Sequence, residues 1–259
     1  MNALAEPQVN VPPPSLGVAA TVIVPAYNEQ AGLAAVLQQL APLREQGIEV
    51  VVVDDASTDR TALVAEAAGV LVVRRRRNGG KGAAIRSGLA RTDAAKVITI
   101  DADGTYPVAA ILPIVRLLDD YDLALGVRTV GRGNIPLLNR LGNAALRLAI
   151  RATSGFSSAD PLTGLYGIRR EHLDAMALRS DGFAVEAEIA VKSARLGLRR
   201  VDYPIGYAER IGRSKLNPLR DGSTIAATIL RLALDGSLTR LSRVRRQRAL
   251  ARARRLNGG

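Results

Sequence analysis

At 259 residues, with 47% hydrophobic and only 3% aromatic residues, the chain is long enough for one α/β domain with a core of Val, Ile, Leu and Ala. The lack of cysteine excludes disulfides, zinc–thiolate sites and thiol nucleophiles and fits a reducing compartment. The single histidine, His172, reads as a surface or helix-start residue, which weighs against histidine metal clusters and a Ser-His-Asp relay. Of the formal charge of +12, eight positive charges are arginines between Arg240 and Arg255, a stretch without an acid. The basic character therefore belongs to a tail and points to a polyanionic partner.

Residues 1–18 carry a proline run and have neither a basic start nor an apolar stretch, so they read as a disordered lead rather than a secretory signal. Thr21 to Val24 predicts a strand, and Gln30 to Leu40, with Leu33, Val36, Leu37 and Leu40 at helical spacing, predicts a helix. The run Val50 to Val53 is the next strand, followed by a helix over Thr61 to Ala68 capped by Ser57 or Asp59 and a strand over Val70 to Val73. A helix from near Gly82 to before Asp93 and a strand over Val97 to Ile100 complete four strand–helix units. Uninterrupted β-branched runs suit strands buried on both faces, so the expected architecture is an open, mostly parallel α/β sheet flanked by helices. Beyond it the pattern predicts a strand near Leu123 to Gly126, a helix over Leu137 to Thr153, a loop and strand over Asp160 to Ile168, a helix over Val185 to Leu196 and a strand over Val201 to Tyr207. From Ser223 onward one or two helices are expected, the last arginine-rich with Leu238, Leu241, Val244 and Leu250 as a narrow apolar stripe. The best apolar run, Ile225 to Leu234, is short and contains Arg231, so no membrane span is expected.

Ligands of open α/β sheets bind at the carboxyl ends of the strands, which directs attention to Pro25–Glu29, Asp54–Asp55 and Asp101–Asp103. Carboxylates at i and i+2 on a turn both reach one divalent cation, so Asp101 and Asp103 suit an oxygen-ligated Mg²⁺ or Mn²⁺ that neutralises a diphosphate. The first strand–helix turn contains no glycine, which removes the dinucleotide fingerprint. The Asn78–Gly82 stretch fails as a P-loop, because Arg75 stands at the first glycine position and Gly82 at the Ser/Thr position.

Four motifs in this order, VPAYNE (Val24 to Glu29), VVDDASTD (Val52 to Asp59), NGGKGAA (Asn78 to Ala84) and DADGTYP (Asp101 to Pro107), resemble family 2 glycosyltransferases of the GT-A fold, which is Rossmann-like. GVR at Gly126 to Arg128, DPLTGLYGI at Asp160 to Ile168 and YAERIGRSKLNPLRDG at Tyr207 to Gly222 resemble the polyprenyl-phosphate (dolichyl-phosphate) mannose and glucose synthase branch. The likeness spans about residues 20 to 234, implying a catalytic domain over 19–234 and an arginine-rich helical tail over 235–259. It implies a nucleotide-sugar pocket lined by Pro25, Tyr27, Glu29, Asp54, Asp55, Lys81, Asp101, Ala102 and Asp103, with GDP-mannose or UDP-glucose as donor. Asp101 and Asp103, with Thr105 where the branch often has Gln, would hold the Mg²⁺ or Mn²⁺. Arg128, Arg140, Arg210 and Lys215 would receive the phosphate of a polyprenyl phosphate, and Asp103, Arg128 and Asp160 are the candidate catalytic set.

An ionised phosphate acceptor needs no general base, whereas a hydroxyl acceptor does. Asp160 would serve as that base for a hydroxyl or orient an arginine for a phosphate, with Glu186 and Glu188 as weaker base candidates. The leading expectation is inverting transfer of mannose or glucose to a polyprenyl phosphate by a protein bound peripherally to the anionic cytoplasmic face of a membrane through its basic tail. Two alternatives stand beside it: a family 2 enzyme with a soluble hydroxyl acceptor, and a non-catalytic basic module binding membrane or nucleic acid. Few aromatics and no nucleic-acid motif weigh against the last, so no nucleic-acid partner is expected.

Overall fold

The structure is a computed structural model that describes residues 9–10 and 20–235. The expected apolar stripe Leu238 to Leu250, the arginine-rich tail after Asp235 and all of the lead except Val9–Asn10 lie outside the described residues.

The strands are β1 (Val9–Asn10), β2 (Ala20–Ala26), β3 (Ile48–Asp54), β4 (Leu71–Arg74), β5 (Lys96–Thr99), β6 (Leu123–Val130), β7 (Tyr166–Arg169) and β8 (Arg200–Gly206). They form one sheet in the order β1-β4-β3-β2-β5-β7-β6-β8. Strands β2 to β5 are mutually parallel, β6 pairs parallel with β8, and β7 lies antiparallel between β5 and β6. The expected mostly parallel sheet is therefore present, with β7 and the two-residue β1 as its antiparallel members.

The helices are α1 (Gln30–Arg44), α2 (Thr61–Ala67), α3 (Gly80–Leu89), α4 (Ile111–Asp120), α5 (Leu137–Ser154), α6 (Arg170–Met176), α7 (Val185–Leu196) and α8 (Pro218–Leu234). Alternate residues of the central strands feed opposite cores, as the two-residue period of a pleated strand requires. Val22, Val24, Val50 and Val52 join Leu33, Val36 and Leu40 of α1 and Ile111 and Ile114 of α4 on one face. Ile23, Val51 and Val53 join Ile85 of α3, Val185 and Ile189 of α7 and Ile225 and Ile229 of α8 on the other.

Helices α4 and α6 were not anticipated. The buried residues of α4, Ile111, Ile114, Val115 and Leu118, do follow the 3.6-residue period, but Pro113 in the first turn breaks the helical signal in the sequence, and α6 spans only seven residues. His172 lies in the first turn of α6, half-buried with Nε2 3.5 Å from Asp122, in line with a helix-start residue. The expected cap of α2 is not formed as such: Arg60 is the cap residue and makes no side-chain cap bond, Asp59 accepts from the Thr61 N–H at 2.9 Å, and the Ser57 hydroxyl accepts from the N–H of Asn28.

Candidate active site

Because β4, β3, β2 and β5 run parallel as neighbours, their carboxyl ends share one edge of the sheet, and the four acidic or glycine-rich motifs meet there. The loops after β2 and β3 hold each other. Asn28, in the left-handed region at φ 52°, accepts from the Thr58 N–H at 2.7 Å through its side chain and donates its own N–H to Ser57. Few side chains other than glycine adopt that conformation, and asparagine tolerates it well.

Two clefts open at this edge. The first, of about 510 Å³, is lined by Pro25, Tyr27, Glu29, Asp55, Gly79, Lys81, Asp101, Ala102, Asp103, Arg210 and Lys215 among others. Of the expected donor-site residues only Asp54 is outside this lining; its carboxylate accepts from the Ser57 N–H at 3.1 Å. Asp55 is buried, and its carboxylate accepts from Arg75, from the Gly79 N–H at 3.1 Å and from the Gly80 N–H at 2.6 Å. It therefore organises the turn that delivers Lys81 at the start of α3.

Lys81 is a buried ammonium between two carboxylates, 2.5 Å from Asp101 Oδ1 and 2.6 Å from Glu186 Oε1. Burial acts to lower its pKa, but Asp101 and Glu186 outweigh it and hold the ammonium well above its ordinary value. Asp103 is 2% exposed. Its Oδ1 accepts from the Thr105 N–H at 2.9 Å and the Thr105 hydroxyl at 2.6 Å, and its Oδ2 lies 2.5 Å from Arg210 Nη2. Arg210 and Lys215 also reach Glu29 Oε1, at 3.1 and 3.0 Å. Burial pushes the Glu29 carboxyl up, with both cations pulling against it.

The second cleft, of about 490 Å³, shares Lys81, Asp101, Phe183 and Arg210 with the first. Its inner end carries Tyr106, Arg128, Glu186 and Tyr207, and its outer wall is mostly apolar, with Ile135, Pro136, Leu138, Leu146, Leu216 and Leu219 beside Asn134, Asn139 and Asn143. Arg128 is buried and held by a two-pronged contact with Asp160, Nε to Oδ2 at 2.5 Å and Nη2 to Oδ1 at 2.7 Å, while its guanidinium stacks 5.2 Å from the Tyr207 ring centroid. Such a fork fixes the plane of the guanidinium. Arg140 lies apart, exposed in a smaller cleft of about 260 Å³ along the neighbouring face of α5, which includes Arg128, Arg147 and Asp160. Glu188 is tied to Lys192 at 2.5 Å and to the backbone N–H groups of Arg179 and Ser180, away from both clefts.

The donor set on the DAD turn, two carboxylates at i and i+2 facing an open cleft, fits a hard divalent cation. No third His, Cys, Asp or Glu joins them among the described residues, so a bound cation would draw its remaining ligands from a diphosphate or water. Sequence reasoning missed the structural parts of this site: Asn28, Arg75, Tyr106 and Gly164. Asn28, Tyr106 and Gly164 stand inside the quoted motifs, but nothing in their spacing reveals what they contact.

An open, mostly parallel sheet with an acidic turn at the end of a central strand, beside a nucleotide-sized cleft, defines the GT-A class of glycosyltransferases. The chain belongs to glycosyl transferase family 2, whose profile matches residues 21–177. It is 32% identical over 219 residues to a dolichyl-phosphate hexose transferase of Haloferax volcanii, covering 84% of this chain and 95% of that protein. It is also 31% identical over 211 residues to an undecaprenyl-phosphate mannosyltransferase of Micrococcus luteus, covering 75% and 86%. Among solved structures it is similar to glucosyl-3-phosphoglycerate synthase of Mycobacterium tuberculosis in complex with Mn²⁺, UDP-glucose and phosphoglyceric acid: TM-score 0.68, 29% identity, 84% of this chain and 80% of that one.

Proposed function

We propose that this glycosyltransferase transfers mannose or glucose, with inversion, from GDP-mannose or UDP-glucose to a polyprenyl phosphate, with Mg²⁺ or Mn²⁺ held by Asp101 and Asp103. The observation that carries the reading is the second cleft, which brings Lys81, Arg128 and Arg210 to its inner end and whose outer wall is mostly apolar. An anionic headgroup with a hydrocarbon chain matches both ends. The carboxylates that line it are Asp101 and Glu186, and both are paired to Lys81. A hydroxyl acceptor needs a base to take its proton, whereas a phosphate monoester arrives ionised and needs only to be positioned and charge-balanced.

In this account the nucleotide lies in the first cleft against Tyr27 and Asp55, and its diphosphate reaches the DAD turn. The divalent cation, when bound, offsets the charge that develops on the departing nucleoside diphosphate. Lys81 sits where the two clefts meet, next to the bond to be broken. Asp160 holds Arg128 in one plane so that the guanidinium receives the acceptor phosphate, and Arg210 serves from the opposite side. One phosphate oxygen attacks the anomeric carbon as the bond to the nucleoside diphosphate breaks, and no proton changes hands. Thr105 supports the cation through Asp103, whose Oδ1 it holds.

Membrane attachment is part of the proposal. Residues 123–159 contain no Asp or Glu and five arginines. Along this stretch α5 exposes Leu137, Leu138 and Leu141 beside the outer wall of the second cleft. No described helix is long and apolar enough to cross a membrane, so contact would be peripheral, at the anionic cytoplasmic face, with the basic tail adding charge.

A second reading, transfer to a soluble hydroxyl acceptor, is favoured by the likeness to a synthase crystallised with phosphoglyceric acid. Incubation with labelled donor, Mn²⁺ and a short polyprenyl phosphate, beside the matching polyprenol and phosphoglyceric acid, separates the two. Label on the polyprenyl phosphate alone is the expected result; label on phosphoglyceric acid alone would replace this proposal with the second reading.

A further inference from the structure

The carboxylate of Asp101 lies against the backbone of Gly164, a residue that contributes no functional group of its own. A Cβ placed on Gly164 would stand 2.7 Å from Asp101 Cγ and 2.9 Å from Oδ1, with Oδ2 closer still. Real Cβ atoms do not approach other atoms so closely, so either the Gly164 backbone or the Asp101 side chain must give way. The backbone there is held on three sides. The Gly164 N–H donates to the Tyr106 hydroxyl at 2.7 Å, the Thr163 hydroxyl donates to the Gly126 carbonyl at 2.6 Å, and the Gly126 N–H donates to the Leu165 carbonyl at 2.8 Å. Tyr106 itself follows the DAD turn by three residues, so the 163–165 segment and the acidic loop close on each other. Lys81 Nζ also contacts Asp101, 2.5 Å from Oδ1.

We propose that Gly164 is a positioning residue for Asp101: the bare Cα forms the wall against which the carboxylate rests, and this fixes the direction in which it meets a divalent cation. The inference rests on the proposed metal–diphosphate role of Asp101 and assigns Gly164 a place in that same site. Gly32 makes a useful contrast. A Cβ there would stand 2.6 Å from the Ala102 carbonyl oxygen and 2.9 Å from Asp103 Cα, both backbone atoms, so an added methyl at position 32 strains the fold itself. At position 164 the atoms that yield belong to a single side chain, and what is lost is its aim.

The test measures free Mn²⁺ by electron paramagnetic resonance with full-length protein and UDP or GDP, together with thermal melting. Gly164→Ala is expected to melt as a folded protein and to bind Mn²⁺ about tenfold or more weakly, the loss typical when a group that orients a metal ligand is disturbed. Any melting penalty of Gly164→Ala is expected to vanish in an Asp101→Ala background, where the contested space is empty. Gly206→Ala, at a β8 glycine with no atom within 4 Å of its added Cβ, is the neutral control. If Gly164→Ala does not fold, Tyr106→Phe takes its place: it frees the Gly164 N–H without adding volume and is expected to weaken the same Mn²⁺ binding. Wild-type Mn²⁺ affinity in the variant tested, or an equal melting penalty in both backgrounds, would overturn the positioning role. A wild-type protein that holds no Mn²⁺ with either nucleotide would overturn the metal reading instead, and the melting comparison would still decide whether Gly164 and Asp101 contend for space.

Discussion

Glu188 shows how a buried charge is made tolerable in this protein. Its carboxylate, 1% exposed, meets Lys192 one helical turn later and takes the N–H groups of Arg179 and Ser180. Burial acts to raise its pKa, but Lys192 and the Ser180 N–H outweigh it and hold the carboxyl below its ordinary 4.5. A lowered folded pKa means the native state binds fewer protons than the unfolded one. The Glu188 contribution is therefore complete above about pH 4.5 and is lost as pH falls through the lower folded value. Glu188→Gln should cost roughly 2–4 kcal/mol at pH 7, because it leaves Lys192 without its counter-charge, and its stability should converge toward wild type in acid, measured by urea unfolding across pH. At this scale the sequence offered candidate residues and little about their partners. Asp101 and Asp103 were candidates from their place after a strand, and Lys81 and Arg128 from family-like motifs. Asp160 was expected to orient an arginine, but that the arginine is Arg128, and that Asp55 organises the Gly79–Gly80 turn, depends on side-chain directions that spacing does not carry.

Secondary-structure elements place these residues, and the close approach of α1 to the DAD turn is the tightest instance. Gly32→Ala should lower stability by about 1–3 kcal/mol in thermal melts, since the backbone it meets cannot move aside. Regular elements with a clear period were readable: β2, β3 and β5 as β-branched runs, and α5 within one residue of its expected end. The reversed direction of β7 was not readable, because a strand's partners are set by tertiary packing and its four residues carry no sign of orientation. The outward leucines of α5 have a consequence of their own. Leu137→Glu together with Leu141→Glu should reduce sedimentation with vesicles containing anionic phospholipid by about tenfold or more, while a solution melt changes little because both side chains are exposed. Unchanged sedimentation would remove α5 from the membrane contact.

Across the whole molecule, two clefts meet at one acidic turn, and cations from distant parts of the chain converge there: Lys81 from α3, Arg128 from β6, and Arg210 and Lys215 from the segment between β8 and α8. Asp101, Asp103, Glu29 and Glu186 pair with Lys81, Arg210 and Lys215, and Asp160 with Arg128. Donor and metal would add their own charges to this balance, so removal of divalent cations by EDTA should abolish transfer and an excess of Mn²⁺ or Mg²⁺ should restore it. The central claim is that Asp103 supports metal-assisted departure of the nucleoside diphosphate. The most direct measurement is the initial rate of label transfer from nucleotide sugar to a short polyprenyl phosphate in Mn²⁺, with folded wild-type protein and folded Asp103→Ala side by side. A fall of about 100-fold or more in the variant is the predicted result; equal rates for the two proteins would contradict the account.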